Sequence, residues 1–302
     1  MPRFGYACIS NIMGLTTGHT CRLQAATPEK LRGLIEVNLD SLRAILQHNV
    51  AHEWLLFRVA SSVIPFGSHP VNDLRWWEEF AEPLADIGQY ARQHNIRLSM
   101  HPGQYTVLNS PDATICAASV AELSFQARFL DSLGLDSQHK LVLHIGGVYG
   151  DKAAARERFA DAANNLPDNI RARLVVENDD RQYTLGDALY ISGRTGLPVV
   201  YDNLHDAMNP SEQPVEVLLP DVFATWKAAD GPPKTHFSSQ AVGERRGKHA
   251  ELIDVIEFQQ VLDRSTRIGD FDVMVEAKGK DFALYTAFET MRQEMTPLIS
   301  LS

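Results

Sequence analysis

Histidines and carboxylates follow short apolar runs at several places along this 302-residue chain. In the stretch 96–105, IRLSMHPGQY, five residues of strand character reach His101 and are stopped by Pro102 and Gly103. The pattern recurs in runs that close on His144, Glu177, Asp202, His205, His236 and Glu276. Six of the eleven histidines lie at or just after such runs, and this set includes His69 and His249. A single histidine at a strand end is usually structural, but the recurrence predicts one cluster of groups able to bind metal.

The number and type of these groups define the chemistry that they permit. A catalytic zinc usually takes three protein ligands, so this cluster predicts roughly two or three ions. Imidazole and carboxylate without thiolate suit Mn²⁺, Zn²⁺, Co²⁺ or Fe²⁺ and disfavour calcium. Neighbouring ions would lower the pKa of a bridging water and stabilise the oxygens of a phosphoryl transfer, with Glu177 as the candidate bridging carboxylate. The alternative for any one of these residues is that it does not bind the metal itself but hydrogen-bonds to a residue that does, and so orients that residue.

Other side chains near these strand ends have two interpretations each. Lys234 precedes His236 by two residues, so a strand places both on one face. It is a phosphate ligand or an N-carboxylated lysine, or else a lysine that extends from the rim to water. Gln104 and Tyr105 follow His101 in a loop expected to overhang the site, where they can hydrogen-bond to and stack on nucleobases. The alternative for Tyr105 is packing on its own loop.

The charge of the chain does not decide whether nucleic acid is a partner. A net charge of −10 argues against a general nucleic-acid binder. The objection weakens where acidic residues face bound cations, because the ions then set the local potential. The stretch GERRGKH, residues 243–249, contains three cations, Arg245, Arg246 and Lys248. They form either a basic cluster that contacts phosphates or an ordinary solvated loop.

Eight short apolar strands alternate with helices and must position these residues. Strands buried on both faces and separated by helices predict parallel pairing, and eight such units in about 300 residues predict a closed (β/α)₈ TIM barrel. A doubly wound sheet is the rival, but no GxGxxG motif follows the first strand. In a barrel the strand ends meet at one face, where active sites lie. The strands are predicted at 4–10, 53–59, 96–100, 140–145, 173–177, 198–202, 234–238 and 271–276.

Composition places the chain among globular proteins. It is 44% hydrophobic and 22% charged, enough apolar content for a buried core, and we expect one domain over residues 1–302. Three cysteines form no CxxC pair, and the N-terminus lacks a secretory pattern. No apolar run approaches the roughly 20 residues of a membrane span. These features predict a cytoplasmic protein without membrane association, or a nuclear one in a eukaryote.

The motifs together resemble the UV damage endonuclease family. They run in order from about residue 4 to residue 285 and include nearly every strand end. The combination of SSVIPFGSH, MHPGQY and VEND is specific, whereas any one piece alone is weak. The full set is GYACISN, LFRVASSVIPFGSH, LSMHPGQYTVLNS, LVLHIGG, LVVEND, VVYDNLHD, PKTHFSSQ and GKHAE.

The resemblance implies a barrel akin to endonuclease IV with up to three metal ions, commonly manganese, with Mg²⁺ as a further alternative. It implies a monomer that cuts double-stranded DNA immediately 5′ of UV photoproducts, leaving a 3′-hydroxyl and a 5′-phosphate. Catalytic roles fall to Glu177, Lys234 and His69, the last as a phosphate or metal-shell residue. Lesion contacts fall to Tyr6, Asn11, Gln104 and Tyr105. The implied metal ligands are His101, His144, Glu177, Asp202, His205, His236, His249 and Glu276.

Two other functions remain open from the residues. A sugar isomerase or epimerase on the same barrel would use one or two divalent ions, but it would need fewer histidines and no HPGQY loop. A metal-storing or scaffold barrel would need no loop bearing Gln and Tyr. Both alternatives therefore explain less of the sequence than a metal-dependent endonuclease does.

Overall fold

Eight parallel strands close into a barrel in this computed structural model, which describes residues 2–299. Two further short strands form a separate antiparallel hairpin, β2 (Ile9–Ser10) with β3 (Leu15–Thr16). The eight barrel strands are β1 (Phe4–Ala7), β4 (Leu56–Val59), β5 (Arg97–Met100), β6 (Lys140–His144), β7 (Leu174–Glu177), β8 (Val199–Asp202), β9 (Lys234–Phe237) and β10 (Asp272–Val275). The ring order is β1-β10-β9-β8-β7-β6-β5-β4, and β1 also pairs with β4. The predicted (β/α)₈ barrel is confirmed.

Helices connect the strands and surround the ring. The longest has its predicted start: Thr27 accepts a hydrogen bond from the Lys30 amide (3.2 Å), and Pro28 occupies the first turn, where no amide donor is required. The helices are α1 (Pro28–Ala51), α2 (Trp76–Glu79), α3 (Ala81–Gln93), α4 (Ala113–Ser132), α5 (Lys152–Asn164), α6 (Asp168–Arg171), α7 (Leu185–Thr195), α8 (Asn203–Met208), α9 (Val215–Ala224), α10 (Val255–Thr266) and α11 (Asp281–Ile299).

Two predicted elements are divided in the structure. The first strand, expected over 4–10, ends at Ala7, because Cys8 adopts a left-handed conformation (φ 68°) and turns the chain into the β2–β3 hairpin. The helix expected over 72–93, with a bend near Pro83, is instead interrupted at Phe80 between α2 and α3. Pro83 lies in the first turn of α3, where its missing amide costs no hydrogen bond.

Charged side chains fill both ends of the barrel interior. Contacts across the ring identify the inward face, since Lys234 Nζ on β9 donates to Ser99 Oγ on β5 (2.7 Å). At the N-terminal end, Arg97 pairs with Asp272 (2.8 Å) and Lys140 with Asp230 (2.5 Å), and we call these four residues the charged floor. Apolar residues separate this floor from the side chains at the C-terminal end; they include Leu56, Val142, Val175, Val200 and Met274.

Within residues 2–299, no helix combines the length and the apolar character that crossing a membrane requires.

Candidate metal centre

Six neighbouring strands deliver metal-binding side chains to the C-terminal mouth of the barrel. His144, Glu177 and Asp202 are the last residues of β6, β7 and β8. His101 and Glu276 directly follow β5 and β10, and β9 contributes one further residue, His236. Because parallel strands end at one rim, residues far apart in sequence meet there.

Glu177 lies between two groups of donor atoms. Its Oε2 is 3.1 Å from His101 Nε2 and 3.5 Å from His144 Nε2. Its Oε1 is 2.6 Å from His236 Nδ1, which is also 3.0 Å from Glu276 Oε1. One group is His101, His144 and Glu177, and the donor atoms of each group lie within 4.8 Å of one another. The second group is Glu177, Asp202, His236 and Glu276.

Three histidines of the mouth use Nδ1 on backbone carbonyls. His101 Nδ1 is 3.1 Å from the Pro102 oxygen, His205 Nδ1 is 3.0 Å from the Asn178 oxygen, and His249 Nδ1 is 2.9 Å from the Glu276 oxygen. A carbonyl only accepts, so Nδ1 carries a proton in each ring. When the imidazole is neutral it then presents the lone pair of Nε2, as metal-ligating histidines do.

Asp202 is held by the start of α8. Its Oδ1 accepts a hydrogen bond from the His205 amide (2.8 Å), so the carboxylate that ends β8 also caps the following helix. Its Oδ2 is buried and has no hydrogen-bond partner among the described residues, and the same is true of His144 Nδ1. Buried polar atoms are nearly always satisfied, so these two atoms indicate room for an additional group.

The pKa values at the mouth reflect buried carboxylates with few cations beside them. Burial raises the pKa of Asp202 to about 7. Burial also opposes ionisation of Glu177, but the neighbouring imidazoles, led by His236, hold its pKa well below the usual range. The pKa of His236 is lowered to about 4, chiefly by burial. Burial opposes protonation of His205 as well, but Asp202 and Glu177 raise its pKa to about 9. The mouth therefore attracts positive charge, and divalent cations would supply it.

The donor set fits divalent metal. The two groups offer imidazole nitrogens and carboxylate oxygens and contain no cysteine, a combination suited to Mn²⁺, Zn²⁺, Co²⁺ or Fe²⁺. The sharing of Glu177 between both groups suits a pair of ions with a bridging carboxylate.

Lys234 lies beneath the donors, on the inward face of β9. Its side chain is fully buried, and its Nζ donates a hydrogen bond to Ser99 Oγ. Burial lowers its pKa well below the usual range for lysine. The interpretation of Lys234 as a lysine that reaches water at the rim is therefore wrong.

Arg58, on β4, is part of the centre and was missed by the sequence analysis. Its guanidinium is buried, forms an ion pair with Glu276 and lies 3.2 Å from His236 Nε2. The available signal was a cation in the middle of the apolar strand LFRV. Because every residue of this strand is buried, a charge on it cannot reach water and requires a partner inside the protein.

The two donor groups do not include the predicted ligands His205 and His249, and the predicted site residues Tyr6, His69 and Asn11 also lie outside them. Tyr6 is fully buried; its hydroxyl donates to Asn49 (2.7 Å) and its ring packs edge-on against Trp54, so a direct DNA contact by Tyr6 is wrong for this structure. His69 is exposed, and its Nδ1 accepts the Val71 amide within its own loop (3.0 Å). Asn11 is exposed in the loop of the β2–β3 hairpin, where its backbone N–H donates a hydrogen bond to Asp281 Oδ1 (2.7 Å).

A cavity of about 450 Å³ opens beside the donors. Its lining includes His101, His144, His205 and Gln104, so one predicted lesion contact faces the same space as three candidate ligands. Tyr105, next in sequence, is 69% exposed, and its ring also lies against Gly103 of the same loop, so the alternative that it packs on its loop stays open. A larger cavity, about 910 Å³, opens at the N-terminal end, and its described lining contains none of the candidate ligands.

Two of the three cations in the stretch 243–249, Arg246 and Lys248, form contacts within the protein. Arg246 Nη2 donates to the carbonyls of Ala207 (3.2 Å) and Met208 (3.1 Å), and Lys248 pairs with Glu244 (2.6 Å). These contacts fix the loop against the residues that follow β8.

Comparisons with known proteins agree with this geometry. The sequence model of the family described as UV-endonuclease UvdE matches residues 2–300. The UV DNA damage endonuclease of Clostridium perfringens is 36% identical, over 96% of this chain and 71% of its own length. That of Bacillus cereus (strain G9842) is 33% identical, over 96% of this chain and 94% of its own length.

Comparison with solved structures identifies the same family and the same fold. The crystal structure of SacUVDE superimposes with a TM-score of 0.91 at 34% identity, covering 97% of this chain and 99% of that one. Endonuclease IV from Thermus thermophilus (TM-score 0.59, 16% identity, 98% and 100% coverage) and an L-ribulose 3-epimerase (0.58, 16%, 92% and 82%) share the fold alone.

Proposed function

This chain belongs to the UV-endonuclease UvdE family, and from that premise we propose that it is a metal-dependent endodeoxyribonuclease acting on UV-damaged double-stranded DNA. It hydrolyses the phosphodiester immediately 5′ of a photoproduct and leaves a 3′-hydroxyl and a 5′-phosphate. The observation that supports this most is the position of Glu177, with one carboxylate oxygen in each of two donor groups. Mn²⁺ is the proposed ion, at roughly two or three per chain for a donor set of this size.

Divalent ions held by these donors would stabilise the negative charge on the attacking and leaving oxygens of the phosphodiester. The protein contributes the positions of the donors. Carbonyl contacts fix the rings of His101, His205 and His249, and Arg58 fixes Glu276 from the opposite side. Lys234 supplies a buried side-chain amine whose pKa burial lowers well below the usual range for lysine, which suits it for chemical modification or for contact with a substrate phosphate.

The loop after β5 would recognise the damaged duplex. Gln104 lines the cavity and Tyr105 stands exposed beside it, so both are available to fill the space left when a lesion is extruded. A photoproduct stacks and pairs poorly, so the cost of unstacking is lowest at damaged sites. Asn11 and His69, both exposed, remain proposed contacts with lesion and phosphate. The proposal further holds that the chain acts as a monomer on DNA in the cytoplasm.

The test is nicking of supercoiled plasmid with and without prior UV irradiation, in the presence of Mn²⁺. We expect relaxation of irradiated plasmid alone, and its loss when EDTA is added. End-labelled duplexes with one defined photoproduct then locate the cut and identify the ends. Equal nicking of both plasmids, or activity that survives complete metal removal, would contradict the proposal.

A further inference from the structure

The loop between β9 and α10 has a closed base and an exposed tip. Gln240 and His249 form an antiparallel bridge, and the Ala241 amide donates to the Lys248 carbonyl (2.8 Å). The Gln240 side chain closes the base from inside, because its Oε1 accepts the Gly247 amide (2.7 Å). The tip is therefore carried by a fixed hairpin-like segment, which spares the entropy of ordering a flexible loop on binding.

Val242 lies at this tip and is 99% exposed, the highest value among the exposed large apolar residues described. Gly243 follows it with φ 74°, a turn that keeps the loop tight. A single exposed valine is ordinary on a protein surface. This one is unusual because its segment is fixed at both ends, contains exposed Arg245, and returns to His249 at the metal centre.

The strand that carries this loop lies opposite the strand that carries Gln104 and Tyr105. In the ring order, β5 and β9 are separated by β6, β7 and β8, so they lie four steps apart in a barrel of eight strands and are diametrically opposed. The rings of His101 and His236, one from each side, have centroids 6.5 Å apart across the centre. A duplex lying over the donors would thus meet Tyr105 from one rim and the Val242 loop from the other.

We propose that Val242 is a second wedge, which inserts between bases on the side of the lesion opposite Tyr105. The inference rests on the proposed function and extends it to a recognition residue on the opposite rim. Proteins that kink DNA insert apolar side chains at base steps, and a valine has no polar group with which to read a base edge. Arg245, three residues along, is placed to contact the adjacent phosphates. Side chains inserted from opposite sides of the mouth would enclose the lesion. Because unstacking costs least at a damaged site, this insertion would favour damaged DNA.

The experiment measures equilibrium binding to two matched duplexes, one with a single photoproduct, at one fixed salt concentration with Mn²⁺. A phosphorothioate at the scissile linkage slows cutting, and a 2-aminopurine beside the lesion reports unstacking by its fluorescence. Val242→Ser should weaken binding to the damaged duplex by about tenfold, with undamaged binding changed less than about twofold. It should also reduce the rise in fluorescence, and Val242→Leu should retain both.

Val37→Ser is the matched control, because Val37 is 46% exposed in the middle of α1 and belongs to no loop of the mouth. It should bind as the parent chain does. A Val242→Ser protein with the parent ratio of damaged to undamaged affinity and the parent fluorescence would overturn the wedge and leave the proposed function standing. If the parent chain itself binds both duplexes equally, the proposed function fails and the wedge fails with it.

Discussion

Glu177 is the residue on which both donor groups depend, because each uses a different oxygen of the same carboxylate. Its surroundings hold it ionised despite complete burial. Loss of the charge would therefore affect both groups at once, whereas loss of His144 or Glu276 would affect one.

Glu177→Gln should reduce nicking of irradiated plasmid at least about a hundredfold, because it removes the charge that holds the ions with little change in volume. The bound metal per chain, measured by elemental analysis, should fall as well. The metal-free variant should keep the circular dichroism spectrum of the parent chain, which separates loss of metal from loss of fold. Normal nicking at saturating Mn²⁺ would show that Glu177 does not bridge ions.

Arg58→Met should destabilise the metal-free protein by about 2–4 kcal/mol, since it leaves the partly buried Glu276 without its cation. Mn²⁺ should recover part of this loss, because a bound ion can compensate the same carboxylate. Urea unfolding with and without Mn²⁺ measures both values. Arg75→Met is the control: Arg75 pairs with Glu78 in an exposed position, so its loss should cost less than about 1 kcal/mol. Equal effects of the two substitutions would remove Arg58 from the centre.

At the scale of the elements, periodicity predicted the strands and their polar ends, while backbone conformation and side-chain direction were harder to predict. Nothing in the type of Cys8 indicates a left-handed residue, so the end of β1 was missed. Tyr6 could have been placed correctly, because small Gly5 and Ala7 alternate with it and mark the crowded inner face of the strand. The opposite face, which carries Tyr6, packs against α1 residues such as Asn49.

Helix packing depends on close approach at one glycine. A Cβ at Gly88 of α3 would lie 1.6 Å from the Leu133 carbonyl oxygen, so Gly88→Ala should cost at least about 2 kcal/mol of unfolding free energy. Gly33 of α1 is the control, since an added Cβ there meets nothing within 4 Å among the described atoms. Gly33→Ala should stabilise the protein by about 0.5–1 kcal/mol. Thermal and urea unfolding should therefore shift in opposite directions for the two alanines, and a shared direction would refute this packing.

At the scale of the whole molecule, a chain of net charge −10 has to bind a polyanion through local features. The histidines, the carboxylates and the basic stretch 243–249 already indicate such features in the sequence. The contacts that Arg246 and Lys248 make within the protein are not visible there, because those partners are set by the tertiary arrangement of α8 and the loop. Arg245 is the cation of this cluster that we expect to reach a phosphate.

Arg245→Gln should therefore reduce the slope of log affinity against log salt by about 0.9, the value for one lost phosphate contact on duplex DNA. The reduction should be the same for damaged and undamaged duplex, because a phosphate contact does not read damage. Arg267→Gln is the control, as Arg267 follows α10 near the start of β10, at the far end of the barrel. A salt slope unchanged by Arg245→Gln would exclude that residue from the interface.

The charged floor has a kinetic consequence. Arg97 and Lys140, held by Asp272 and Asp230, close the N-terminal end with buried cations, and Lys234 and Arg58 add an amine and a guanidinium group above them. A divalent ion that leaves by that end would have to pass them, so we expect bound ions to exchange with solvent through the mouth, which is also the proposed entrance for DNA. A bound duplex should then trap the ions beneath it. A chelator added after the complex has formed should extract metal at the rate at which DNA dissociates, and a chelator added before it should act without that delay.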